Sequence, residues 1–146
     1  MSRKKKKKIT KAQELSGSFL TYYTSIYDSI KDINNIISLN KNLSLYQSFG
    51  TKLANTVKCI NEGVSERDYN KALFNCNEVL FTYDAVLRLM SKTDPTINNH
   101  IGWINQSVDF IKGLIRDARK YGCIIGINKE DLHHASVNVA INTSQG

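Results

Sequence analysis

Residues 69–90 read YNKALFNCNEVLFTYDAVLRLM. Tyr69, Leu73, Cys76, Leu80, Tyr83, Leu87 and Met90 recur there at alternating steps of four and three. That spacing draws one apolar stripe along an α-helix and none along a strand, whose faces repeat every second residue. Val79 and Val86 widen the stripe. Ser65 is placed to cap this helix, with Asp68 three residues on as the acid of a capping box. Thr93-Asp94-Pro95 ends it, because the residue before a proline is pushed out of the helical region.

The same period recurs on both sides. Over residues 16–39, Phe19, Tyr23, Ile26, Ile30, Ile33 and Ile37 share a face, and Asn40-Lys41-Asn42 breaks the pattern. Over residues 44–62 the face is Tyr46, Phe49, Leu53, Val57 and Ile60. Gly50 weakens that helix by ~1 kcal/mol relative to Ala, and Gly63 is placed to end it as a C′ residue. A last helix follows Pro95, capped by Thr96 or Asp94, with Ile97, Ile101, Ile104, Val108, Ile111 and Ile115 in line and Leu114 alongside, and fades near Gly122. Cys123, Ile124, Ile125 and Ile127 are apolar and predicted to fold back onto the helices. A single proline in the chain agrees with long uninterrupted helices. The sequence therefore predicts an all-α protein: an antiparallel up-down four-helix bundle over residues 16–127. It is flanked by a flexible basic arm, 1–15, and a mobile C-terminal tail, 128–146.

Charge divides the chain in a different place. Of 20 Lys+Arg, seven (Arg3, Lys4, Lys5, Lys6, Lys7, Lys8 and Lys11) precede residue 12, which leaves 13 against 13 Asp+Glu in the body. The formal net charge of +7 is thus a property of the arm. Three readings of the arm stand open. A lysine run neutralises phosphates and gives salt-sensitive binding to nucleic acid. It also serves as a solvated tail, or meets acidic lipid. No run reaches the ~18 apolar residues of a membrane span. Lys11, Gln13, Glu14 and Ser16 interrupt the place where a signal peptide would be apolar. An intracellular, cytoplasmic protein without membrane association is expected. Cys59, Cys76 and Cys123 are odd in number and widely spaced, which fits a reducing compartment, and Cys76 reads as a small core residue.

Within the body, Lys112, Arg116, Arg119 and Lys120 share a face of the last helix, with Asp109 and Asp117 as partial offsets. They are either a phosphate-facing patch or a solvated face that favours the helix dipole. Arg88, between Leu87 and Leu89, reads as a residue near a seam, suited to an interface ion pair. Lys52 and Lys58 are further candidates for that partner-binding role, as are Arg67 and Lys71. Tyr22, Tyr23 and Tyr27, with Phe19, have three readings: core, subunit contact or base stacking. Trp103 lies off the stripe and is expected to be partly exposed or at a subunit contact. No catalytic residue, metal site or cofactor is expected. Glu130-x-x-His133 is half of a di-iron signature that needs two such motifs, His133-His134 and His100 lack partners, and no Gly-rich phosphate loop is present.

Three stretches carry a resemblance: Gly50-Thr51-Lys52-Leu53-Ala54-Asn55-Thr56-Val57, Ala85-Val86-Leu87-Arg88-Leu89-Met90 and Val108-Asp109-Phe110-Ile111-Lys112-Gly113-Leu114-Ile115. Over residues 49–120 the chain resembles the four-helix accessory variability determinants of diversity-generating retroelements. It is also similar to the small four-helix proteins encoded in intervening sequences of bacterial ribosomal RNA genes. The resemblance implies a homo-oligomer, a pentamer, that binds a reverse transcriptase and its structured template RNA, or an RNA/DNA hybrid. It implies support of mutagenic cDNA synthesis by a protein that is not itself an enzyme. Arg88 matches the family's arginine in the third helix, and Lys112 and Arg116 lie where its fourth helix is basic. The alternative is an oligomeric helical protein-interaction scaffold with no nucleic-acid role.

Overall fold

The computed structural model describes residues 10–127, and among them every regular element is helical. Helix α1 is Lys11–Leu39. A 3-10 segment, Lys41–Tyr46, leads to α2, Phe49–Ser65. Helix α3 is a continuous rod over 69–91, α-helical at Tyr69–Asn77, π-helical at Glu78–Tyr83 and α-helical again at Asp84–Ser91. Helix α4 is Ile97–Tyr121.

Thr10 fixes where α1 begins. Its hydroxyl accepts from the Gln13 N–H at 3.0 Å, and the Gln13 side-chain carbonyl accepts from the Thr10 N–H at 2.9 Å, closing a capping box. This corrects the expected arm boundary: residues 11–15 are helical, Leu15 is buried, and Lys11 stands in the first turn of α1 rather than on a flexible arm. The tail expected over 128–146, with Glu130, His133 and His134, lies outside the described residues, as do Arg3, Lys4, Lys5, Lys6, Lys7 and Lys8.

Helix two departs from expectation at both ends. The Asn40 carboxamide oxygen accepts from the Asn42 N–H at 2.9 Å and starts a 3-10 turn, so α2 begins at Phe49 and not near Ser44. Gly63 does not terminate α2. It is buried inside it, where a Cβ would stand 2.6 Å from the backbone nitrogen of Ala72, so the missing side chain lets α2 and α3 approach. The left-handed residue is Arg67 (φ 60), with Asp68 N–H bonded to Gly63 C=O at 2.7 Å and Arg67 N–H to Val64 C=O at 3.4 Å. That is a Schellman ending built without glycine. Asp68 is then itself the cap of α3, its carboxylate accepting from the Lys71 N–H at 3.1 Å, in place of Ser65.

Burial follows the expected stripes on α1 and α4 throughout. Phe19, Tyr23, Ile26, Ile30, Ile33 and Ile37 meet Ile97, Ile101, Ile104, Val108, Ile111 and Ile115 in the core, and Cys76 joins them. On α3 the stripe slips. Ala72, Cys76, Val79, Leu87 and Met90 are buried, whereas Leu73, Leu80 and Tyr83 are half-buried. Val79, three residues after Cys76, takes the inward position, and the wider π turn then delays the rotation of the rod, so the next buried residue is Leu87, eight residues on. Tyr23 and Tyr27 are core residues. Tyr23 donates to the Tyr27 oxygen at 3.5 Å, and Tyr27 donates to the Ala54 carbonyl at 3.0 Å. Burial pushes the Tyr27 phenol up to about 12 and the Tyr23 phenol higher still.

Contacts between helices follow a consistent order. On α1 and α4, Lys11 meets Tyr121, Tyr22 stacks on Phe110 with centroids 4.6 Å apart, and Ser25 meets Ser107. Partner numbers fall on α4 as they rise on α1. The same holds for Tyr27 with Ala54 and Asn34 with Gly50, for Thr56 with Tyr83 and Gly63 with Ala72, and for Asn77 with Lys112 and Asp84 with Asn105. Gly122 (φ 67) closes α4, with the Cys123 N–H on the Ala118 carbonyl at 2.8 Å. The chain then turns back as expected: Ile125 is buried, and the Asn61 side chain accepts from the Ile127 N–H at 2.7 Å and donates to its carbonyl at 3.5 Å. Ile124 stays exposed. No helix among the described residues is long and apolar enough to cross a membrane.

Two glycine replacements are expected to have opposite signs in urea unfolding. Gly63→Ala forces α2 from Ala72 and destabilises by ~1–3 kcal/mol. Gly102→Ala fills open space on a helix interior and stabilises by ~0.5–1 kcal/mol.

Candidate nucleic-acid interface

Cations gather at the C-terminal turns of α4, where they meet the negative end of the helix dipole. Arg116, Arg119 and Lys120 are exposed, and Lys112 is half-buried, donating from Nζ to the Asn77 side-chain oxygen at 3.0 Å. Lys112 therefore leans toward α3, unlike the exposed Arg116, Arg119 and Lys120. Beneath it lies Cys76. Burial pushes that thiol up to about 12, against the opposing pull of Lys112 and Arg116, so it is a protonated core residue.

The order of contacts between α1 and α4 adds what the sequence could not place. Lys11 of α1 and Lys120 of α4 stand over the same Tyr121 ring, at 5.0 and 5.5 Å from its centroid. Lys11 also pairs with Glu14 at 3.3 Å, and that hydrogen bond raises its pKa. The chain enters α1 at Thr10, one residue before this cluster. The segment carrying Arg3 and Lys4 to Lys8 is thus joined covalently beside the basic end of α4. Tyr121 was not singled out by periodicity. Its only sequence signal is its position directly after Arg119-Lys120, and nothing in the sequence ties it to Lys11.

The residues expected to bind a partner lie elsewhere. Arg88 makes its ion pair within its own helix. It is exposed, and its Nε donates to Asp84 of the same helix at 2.7 Å. The other Asp84 oxygen accepts from the Asn105 side chain at 2.8 Å, which fixes the pair on the α3/α4 side. At a rise of ~1.5 Å per residue, Asn105 is about 24 Å along α4 from Tyr121. Lys52 is exposed on the α2/α3 side, where its carbonyl accepts from the Tyr83 hydroxyl at 3.3 Å, and Lys58 is half-buried on α2. The three do not join the basic end of α4. Trp103 is exposed, as expected, and forms an edge contact with the buried His100 ring.

An open cleft of about 500 Å³ lies between the end of α1 and the 3-10 segment, lined by Asn34, Ser38, Asn40, Lys41, Ser44 and Gln47. Among the described residues that line it, Lys41 is the one that titrates. Among the described residues no group of three or more His, Cys, Asp and Glu side chains is placed to hold a metal. No family model, curated protein or solved structure matches the chain.

Arg88 and Asp84 supply a test of this electrostatic layout. Burial raises the Asp84 pKa, but the hydrogen bonds from Arg88 and Asn105 outweigh it and hold the carboxyl below its usual range. A group whose pKa falls on folding contributes stability above its unfolded pKa and loses it as pH falls through the folded one. Arg88→Ala is expected to lower the urea midpoint slightly at neutral pH, with wild type and variant converging in acid.

Proposed function

We propose that this chain is a non-catalytic nucleic-acid-binding accessory protein. In this reading it assembles with a reverse transcriptase and its structured template RNA and supports template-primed, mutagenic cDNA synthesis in the cytoplasm, as its resemblance to accessory variability determinants implies. The fold is then an antiparallel up-down four-helix bundle that works as a homo-oligomer, a pentamer by the same resemblance. The falling partner numbers at each helix–helix contact support the up-down order.

One observation carries the nucleic-acid reading: Lys11 and Lys120 converge on Tyr121. It brings the root of a segment with six further cations beside Tyr121, at the end of α4 whose last turns carry Arg116 and Arg119. A neutral body with one cationic end favours a polyanion that is held at that end and leaves the other faces free for protein. A scaffold reading without nucleic acid has its own support in Phe74 and Phe81, which stand 62% and 70% exposed on α3. A mass well above the monomer with no RNA retention would favour it.

Filter binding of a structured RNA across a salt series separates the two. Deletion of residues 2–9 leaves the Thr10 cap in place and removes six cations. The logarithmic salt slope is expected to flatten by up to about 4, at ~0.7 per phosphate contact on single-stranded regions. Affinity indifferent both to salt and to the deletion overturns the nucleic-acid reading.

A further inference from the structure

We propose that the exposed ring of Tyr121 is a stacking platform for an unpaired nucleotide, so that the ligand of this end of the protein is single-stranded nucleic acid. The inference rests on the nucleic-acid reading above and narrows its substrate. Tyr121 is the last residue of α4, and its surface is 53% exposed. The buried stripe of α4 finishes at Ala118. The end of the helix is closed by backbone bonds from Gly122 and Cys123. Neither packing nor capping calls for an aromatic ring at this position.

The surroundings select the occupant. Lys11 and Lys120 stand over the ring, and Arg119 and Arg116 are exposed in the turns behind it. Glu14 and Asp117 are the acids that act on Lys11, and they offset only part of this charge. A polyanion with flat apolar faces complements such a site: phosphates for the ammonium groups and a base for the ring. A base stack on an aromatic is stronger than an exposed cation–π contact. An arriving base therefore displaces one ammonium from the ring, and that ammonium then meets the adjoining phosphate. A duplex keeps its base faces inside its own stack and offers this site phosphates alone. The other exposed aromatics of α4 fit less well. Phe110 is already stacked on Tyr22, and Trp103 lies about 27 Å up the helix at ~1.5 Å per residue, within a stretch of α4, 97–111, that carries no Lys or Arg.

The full chain is compared with Tyr121→Phe and Tyr121→Leu by fluorescence anisotropy at fixed salt. The probes are a single-stranded oligouridine and an RNA duplex of equal phosphate count. Circular dichroism melts check that each variant is folded. Tyr121→Leu is expected to weaken the single strand about tenfold, the scale of one lost base–aromatic stack. The same change is expected to alter duplex affinity less than about twofold, since phosphate contacts remain. Tyr121→Phe is expected to bind as wild type. Equal losses on the two probes, or no loss on the single strand, overturn the stacking site while leaving electrostatic binding in place. A wild-type chain that binds neither probe overturns the nucleic-acid reading along with it.

Discussion

The seam between α1 and α4 is the contact on which the rest of the molecule depends. Each helix brings six large apolar residues, mostly isoleucine, and nearly all of them are excluded from water. Burying a side chain of that size contributes roughly 1.5–3 kcal/mol, so this is the largest block of apolar burial with a regular pattern in the chain. The seam also sets register. With Ser25 against Ser107 and Tyr22 against Phe110, the start of α1 has to fall beside the end of α4. The meeting of Lys11 with Tyr121 follows from hydrophobic packing farther along the same seam.

The second half of the core is arranged by exceptions to regular helix. Gly63 admits Ala72 at close range, and Arg67 takes a left-handed conformation so that the chain reverses within a few residues. Immediately afterwards Asp68 restarts the helix. Ten residues further on, α3 widens into a π turn, which re-aims the stripe after Val79 onto Leu87 and Met90. After α4, Asn61 binds both backbone groups of Ile127, as a neighbouring strand would, and holds Ile125 in the core. Each device supplies backbone hydrogen bonds at a point where helix ends or irregular chain would leave them unmade.

Electrostatics plays little part in holding these helices together. The ion pairs among the described residues are on the surface, and exposed pairs contribute little to stability. Of the buried ionisable groups, Tyr23, Tyr27 and Cys76 are kept neutral by burial. Charge is left free for other uses, and its one strong asymmetry lies at the end where Thr10 enters and Tyr121 leaves. In the proposed function that end handles nucleic acid, while Arg88, Lys52 and the exposed Phe74 and Phe81 look out from other faces.

The amino-acid sequence by itself determined the helical class, the number of rods and nearly every inward residue of α1 and α4, because helical periodicity is local and three to four residues suffice to express it. It also determined that the excess charge precedes residue 12. It misjudged the ends of α2, the cap of α3 and the start of α1, where the decisive partners were Ala72, Arg67 and a Thr10–Gln13 pair not weighed as a cap. Only the tertiary structure decided that Lys11 and Lys120 share a ring, and that Arg88 pairs with an Asp84 held by Asn105 of α4. The physical reason is distance along the chain. A stripe repeats between near neighbours and can be read from them, whereas a site made by two helix ends exists only once packing has fixed which ends meet.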